Sequence, residues 1–112
     1  MTNNENHLIA VPHSEVMDRA IEIYGKEYQV DRFMEEVNEL CKALLKRRRT
    51  DLPEERFDPD AIDENIQEEI GDVLITLSLV IKIYGNKTNR IKASMERKVT
   101  RLKGQLDKNN RH

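Results

Sequence analysis

The chain has 112 residues, 38% of them hydrophobic and 36% charged, and its 19 basic and 21 acidic residues leave a formal charge of −2. Such a length supports one domain with a small core that buries roughly two thirds of the unfolded chain's surface, and so balanced a charge exerts no long-range pull towards nucleic acid or anionic membranes. The single Cys41 excludes an intramolecular disulfide, and no apolar stretch approaches the ~20 residues that cross a bilayer.

Residues 1–13 are polar and read as a flexible N-terminal segment; the opening MTNNENHLIAVPHSE lacks the basic and apolar regions of a signal peptide, so a cytoplasmic protein is expected. Ser14 is a good N-cap for EVMDRAIEIY, which Gly25 closes. A second helix is predicted from about Lys26 to Arg48, where Val30, Phe33, Val37, Leu40 and Leu44 recur at helical steps. Its basic end, Arg47 to Arg49, suits the helix dipole. The segment RTDLPEERFDPD has prolines, many charges and no periodicity, so about 49–62 is expected to be an exposed connection. A third helix begins near Asp60 or Asp63 and runs through Ile66, Ile70, Val73, Leu77 and Val80 to Tyr84, where Gly85 stops it. A fourth, from about Thr88 to Leu106, carries Ile91, Met95, Val99, Leu102 and Leu106 among many cations, and residues 109–112 form a short tail.

No stretch alternates with the period of a strand, so the expected fold class is all-α: a four-helix, bundle-like single domain over residues 14–108. Four helices of this size leave apolar edges, and two-fold self-association is the commonest way to cover them.

One template occurs twice. FMEEVNEL, Phe33 to Leu40, and IQEEIGDV, Ile66 to Val73, share the order apolar, any, Glu, Glu, apolar, small or polar, acid, apolar. At ~100° per residue, Glu36 and Glu39 lie together beside the stripe of Phe33, Val37 and Leu40, and Glu35 points away. Glu69 and Asp72 likewise lie beside Ile66, Ile70 and Val73, with Glu68 on the outer side. Packing the two stripes together brings four carboxylates to one edge of the seam. Two like charges ~6 Å apart at an effective dielectric near 20 repel by roughly 3 kcal/mol, so a cation belongs between them. An all-oxygen set suits Mg²⁺, which keeps waters and shares its sphere with phosphates. A ferritin-like di-iron site fits poorly, because it calls for Glu-x-x-His and the histidines here, His7, His13 and His112, lie in the terminal segments. A single Glu-x-x-Glu is most often a solvated surface pair; two copies on separate helices, with the acids on the same side of each stripe, favour a site. Gly71 fits the close approach of a backbone or ligand, or plain helix packing.

The pair Glu36-x-x-Glu39 and Glu69-x-x-Asp72 resembles the signature of the MazG-like, all-α nucleoside triphosphate pyrophosphohydrolases, a group that includes dimeric dUTPases. The blocks YGKEYQVDRFMEEVNELCKALLK, EEIGDVLITLSLV and ERKVTRLKGQL resemble phage and bacterial members in the same order, over about residues 20–106. The interval from Glu39 to Glu69 is at or beyond the long end of the family's spacing, and the extra length falls in the proline-containing connection. The resemblance implies that Glu36, Glu39, Glu69 and Asp72 are catalytic carboxylates and Mg²⁺ ligands, with Mn²⁺ as the alternative ion. It implies cleavage of a nucleoside triphosphate between its α- and β-phosphates. Lys98 and Arg101 match the family's Lys-x-x-Arg-Leu block that approaches the phosphates, and Gln29 matches a glutamine on the substrate side. A homodimer or homotetramer with its site near the subunit interface is implied as well.

Tyr24 and Phe33 are expected in the core, and Cys41, on the flank of the second helix's stripe, as a small buried hydrophobe. Two rival functions remain: a non-catalytic helical adaptor, indifferent to Mg²⁺, and a nucleic-acid module using the cations of the fourth helix, against which the net charge and the acidic pairs argue.

Overall fold

The computed structural model describes residues 13–49, 53, 58–85 and 89–110. It has four helices, α1 (Ser14–Tyr24), α2 (Lys26–Arg48), α3 (Pro59–Tyr84) and α4 (Asn89–Asn109), and no strand among the described residues. The fold is all-α. The polar N-terminal segment, apart from His13, most of the connection before α3, and the last two residues of the tail lie outside the described residues.

The start of α1 departs from expectation. His13, with φ 63°, takes the N-cap position without a side-chain cap bond, and its carbonyl accepts from the amides of Val16 and Met17. Ser14 is already helical, and its Oγ accepts a 2.7 Å bond from Lys82 Nζ of α3. Lys82 also pairs with Asp18 at 3.0 Å. The serine hydroxyl is thus recruited by a distant cation in place of its own helix end. Gly25 alone separates α1 from α2 at φ 91°, a left-handed value that costs a residue with a Cβ about 1–2 kcal/mol.

α3 begins earlier than predicted. Asp58 is its N-cap, accepting from the amides of Asp60 and Ala61, and Pro59 follows at the position where its missing N–H costs nothing. Gly85 ends the helix, as its sequence position predicts; a Cβ there would lie 2.6 Å from Ile91 Cδ1, so the glycine permits the close approach of α4's first turn. Gly71 has no such role, since a Cβ there would meet nothing within 4 Å.

α2 and α3 form the main packed pair, and α1 rests more lightly on both. The buried side chains among the described residues lie at these contacts: Gln29 and Ala43 on α2, and Ile62, Thr76 and Leu79 on α3. The Thr76 hydroxyl donates back to the carbonyls of Asp72 and Val73, which satisfies it inside the core. Arg47 and Asp63, 2.8 Å apart, clasp the end of α2 to the first turns of α3.

Several side chains expected inside are outside, Leu44 of α2 and Ile70 of α3 among them. Cys41 is exposed, and Tyr24 is exposed and lies against Tyr28 with ring centroids 5.3 Å apart and the planes tilted by 31°. Both sit where α2 or α1 turns away from its narrow contact, and a pair of helices covers less of each stripe than a full bundle would. α4 packs along none of the other helices and buries no residue. Its stripe residues Met95, Val99, Leu102 and Leu106 are all exposed. The radius of gyration, 18.1 Å, exceeds the about 13 Å of a compact chain of ~100 residues.

Candidate metal centre

The two repeated acidic segments occupy the middle of α2 and α3, and the packing of these helices brings their inner acids together. One carboxylate oxygen from each of Glu36, Glu69 and Asp72 lies within 4.8 Å of the others. Glu36 and Glu69 are half-buried and Asp72 is exposed, so the group sits at the rim of the α2–α3 seam, open to solvent on one side. Glu35 and Glu68 are exposed on the outer faces, as the helical geometry predicts.

Glu39, the fourth acid of the template, is not part of this three-residue group. Its Oε2 accepts a 3.3 Å bond from Lys42 Nζ, one turn further along α2. Glu36 has a cation near it too, Arg32 at 3.9 Å, yet remains in the group. Sequence reasoning passed over Arg32 and Lys42, although their spacing from Glu36 and Glu39 is that of favourable i,i+4 and i,i+3 ion pairs.

The electrostatics are those of crowded like charges. The Glu69 carboxyl is raised above its ordinary value, first by partial withdrawal from water, then by the charges of Asp72, Glu36 and Glu39, and by a hydrogen bond with the Asp72 side chain. A group that prefers to hold a proton because its neighbours are anions also gains from a cation placed among them.

The donor set fits a hard divalent ion. Mg²⁺ binds oxygen at about 2.0–2.1 Å, so oxygens sharing one ion stand no more than about 4.2 Å apart, and the three here, all within 4.8 Å of one another, need only small side-chain shifts to meet that limit. Three carboxylates leave coordination positions for waters or phosphate oxygens, and the open rim gives access to them.

The other sequence-predicted site residues lie elsewhere. Gln29 is only 2% exposed; its Nε2 donates to the Ala20 carbonyl of α1 at 3.2 Å, and its Oε1 has no hydrogen-bond partner among the described residues. Lys98 and Arg101 are exposed on α4, and packing within one chain does not carry that helix to the carboxylates. No described helix is long and apolar enough to cross a membrane.

A family model described as the MazG nucleotide pyrophosphohydrolase domain matches residues 25–104. That range takes in α2, the three-carboxylate group and most of α4. No curated protein and no solved structure matched the chain.

Proposed function

The chain belongs to the MazG nucleotide pyrophosphohydrolase family, and from that premise we propose that it is a Mg²⁺-dependent hydrolase of nucleoside triphosphates that releases the monophosphate and pyrophosphate. The observation that carries the proposal is the convergence of Glu36, Glu69 and Asp72 from two helices into one group of oxygens within 4.8 Å. These residues, with Glu39 as a further ligand, would hold Mg²⁺, and Mn²⁺ is the substitute with the same preference for oxygen. When bound, the ion supplies charge neutralisation for the phosphate oxygens and a water of lowered pKa. The protein's own part is to fix the carboxylates on rigid helices, so that the attacking water lies in line with the α–β bridge. The water oxygen joins phosphorus as the bridging P–O bond breaks, the bridge oxygen leaves with one product, and the water's protons pass to the carboxylates or to solvent.

Lys98 and Arg101 are proposed to meet the substrate's phosphates across a subunit interface. Support for a second copy comes from two uncovered apolar faces: the α4 stripe, and Ile70 and Leu74 of α3, which are exposed beside Glu69 and Asp72. A two-fold arrangement that lays α4 of one copy on α3 of the other would cover both and carry the two cations towards the partner's carboxylates. Whether the assembly is a homodimer or a homotetramer, the site would then be completed between copies. Gln29 is proposed to serve the substrate side indirectly, by tying α1 to α2 through the Ala20 carbonyl, because its side chain is buried.

The same exposed stripes also favour the rival role of a helical adaptor that binds another protein. One experiment separates the two. The pure protein is incubated with a panel of nucleoside triphosphates, with and without Mg²⁺, and the monophosphate and pyrophosphate are measured, with Glu69→Gln alongside. Release that requires both Mg²⁺ and Glu69 is expected; no release from any nucleotide, with thermal stability unchanged by Mg²⁺, would reject the enzyme in favour of the adaptor.

A further inference from the structure

The four template acids are not equivalent, and the difference concerns the same metal site proposed above, on which this inference rests. Glu36, Glu69 and Asp72 share one cluster, while Glu39, one turn from Glu36 on the same helix, is bonded to Lys42. The two flanking cations behave differently. Arg32 approaches Glu36 only to 3.9 Å and leaves it in the cluster, whereas Lys42 reaches Glu39 at 3.3 Å and Glu39 is outside it.

We propose that Lys42 is a positioning residue that holds Glu39 away from the other three carboxylates, so that a divalent ion is first taken by Glu36, Glu69 and Asp72 and Glu39 joins only by leaving Lys42. Three anions already crowd this rim, and a fourth would add to their repulsion; the ammonium gives Glu39 a separate partner while the cluster carries no ion. The pair is built to yield. The Lys42 and Glu39 side chains are 75% and 50% exposed, and exposed pairs of this kind shift an equilibrium only a few-fold. A dication bonded directly to oxygen is the stronger partner and draws Glu39 across. Lys42 therefore sets a threshold for metal occupancy without touching the ion or the substrate.

Mn²⁺ alone, titrated calorimetrically into wild-type protein, Lys42→Gln, Glu39→Gln and the double variant, tests this without reference to turnover. Lys42→Gln is expected to tighten Mn²⁺ binding by about two- to fivefold, the range an exposed ion pair can supply. Glu39→Gln is expected to bind more weakly but measurably, and adding Lys42→Gln to it should change nothing further. Unchanged affinity in Lys42→Gln would overturn the proposal. So would equal tightening in the Glu39→Gln background, which would reveal only the loss of a nearby positive charge, or complete loss of binding in Glu39→Gln, which would mean that three carboxylates cannot take the ion. Wild-type protein that takes up no Mn²⁺ would overturn the metal-dependent function along with it.

Discussion

α3 and α4 carry apolar stripes of similar length and period, yet one helix finds its partner within the chain and the other does not. On α3 one face closes on α2 and buries Ile62, Thr76 and Leu79, turned slightly from the predicted stripe, whose Ile70 is exposed; on α4 every large apolar residue from Met95 onward stays in water. Periodicity thus reports that a face will be covered but not what covers it. The proposed site divides along the same line: its carboxylates stand on the helices that pack, and the cations proposed to meet phosphate, Lys98 and Arg101, stand on the helix that does not.

The sharpest test of that contrast is a matched pair of truncations. Leu79→Ala should cost about 2–5 kcal/mol, as for other buried leucines, measured by urea unfolding. Leu102→Ala should cost within about 0.5 kcal/mol in dilute, monomeric protein and substantially more at concentrations where copies associate. A large cost for Leu102→Ala that does not vary with protein concentration would place α4 against its own chain and break the comparison.

On the packed side of the proposed site, Asp72→Asn should lower turnover at least about 100-fold, since it would remove a direct metal ligand where even outer partners of a ligand are worth 10–100-fold. A shift of the residual activity's Mg²⁺ requirement to higher concentration in the same assay would support its role as a ligand. On the unpacked side, Lys98→Gln or Arg101→Gln should raise KM about tenfold each, the scale of one lost charge-assisted hydrogen bond. Mixing either variant with inactive Asp72→Asn should restore activity if the cations serve a neighbouring copy. Recovery in the mixture is the result that an intramolecular site could not give.

The smallest expected effect is a pH dependence. The folded protein holds a proton on Glu69 more firmly than the unfolded chain does. The stability contributed by this group is therefore fully present below the ordinary carboxyl pKa and is lost as pH rises through the raised, folded value. Glu69→Gln, which cannot ionise, should make the metal-free protein melt slightly higher at neutral pH and flatten that part of the profile. Mg²⁺ should stabilise wild type at neutral pH and leave the variant nearly unmoved.

Much of this was legible in the residues. Helix α2 runs from Lys26 to Arg48 and α3 ends at Tyr84, where the stripes and glycines put those limits. The outward turn of Glu35 and Glu68 also follows from helical spacing alone. What escaped prediction depended on contacts between elements. Ser14 gave up its cap because Lys82, distant in sequence, claims its hydroxyl. Cys41 is exposed because the contact of α2 with α3 is narrower than the stripe. The pairing of Glu39 with Lys42, one turn along the same helix, is a choice between partners that the acidic template by itself does not encode.

Among the described residues, every one that is fully buried lies at or before Gly85. A growing chain would thus possess its whole interior before α4 exists. Small helical folds close in microseconds to milliseconds, so α1 to α3 can close on one another without waiting for α4, which on the proposed function would settle against a sister chain in a slower, concentration-dependent step. A chain halted at residue 85 should already shield Leu79 from proteases; one in which Leu79 stays open to cleavage until α4 is complete would show that the last helix helps to build the core.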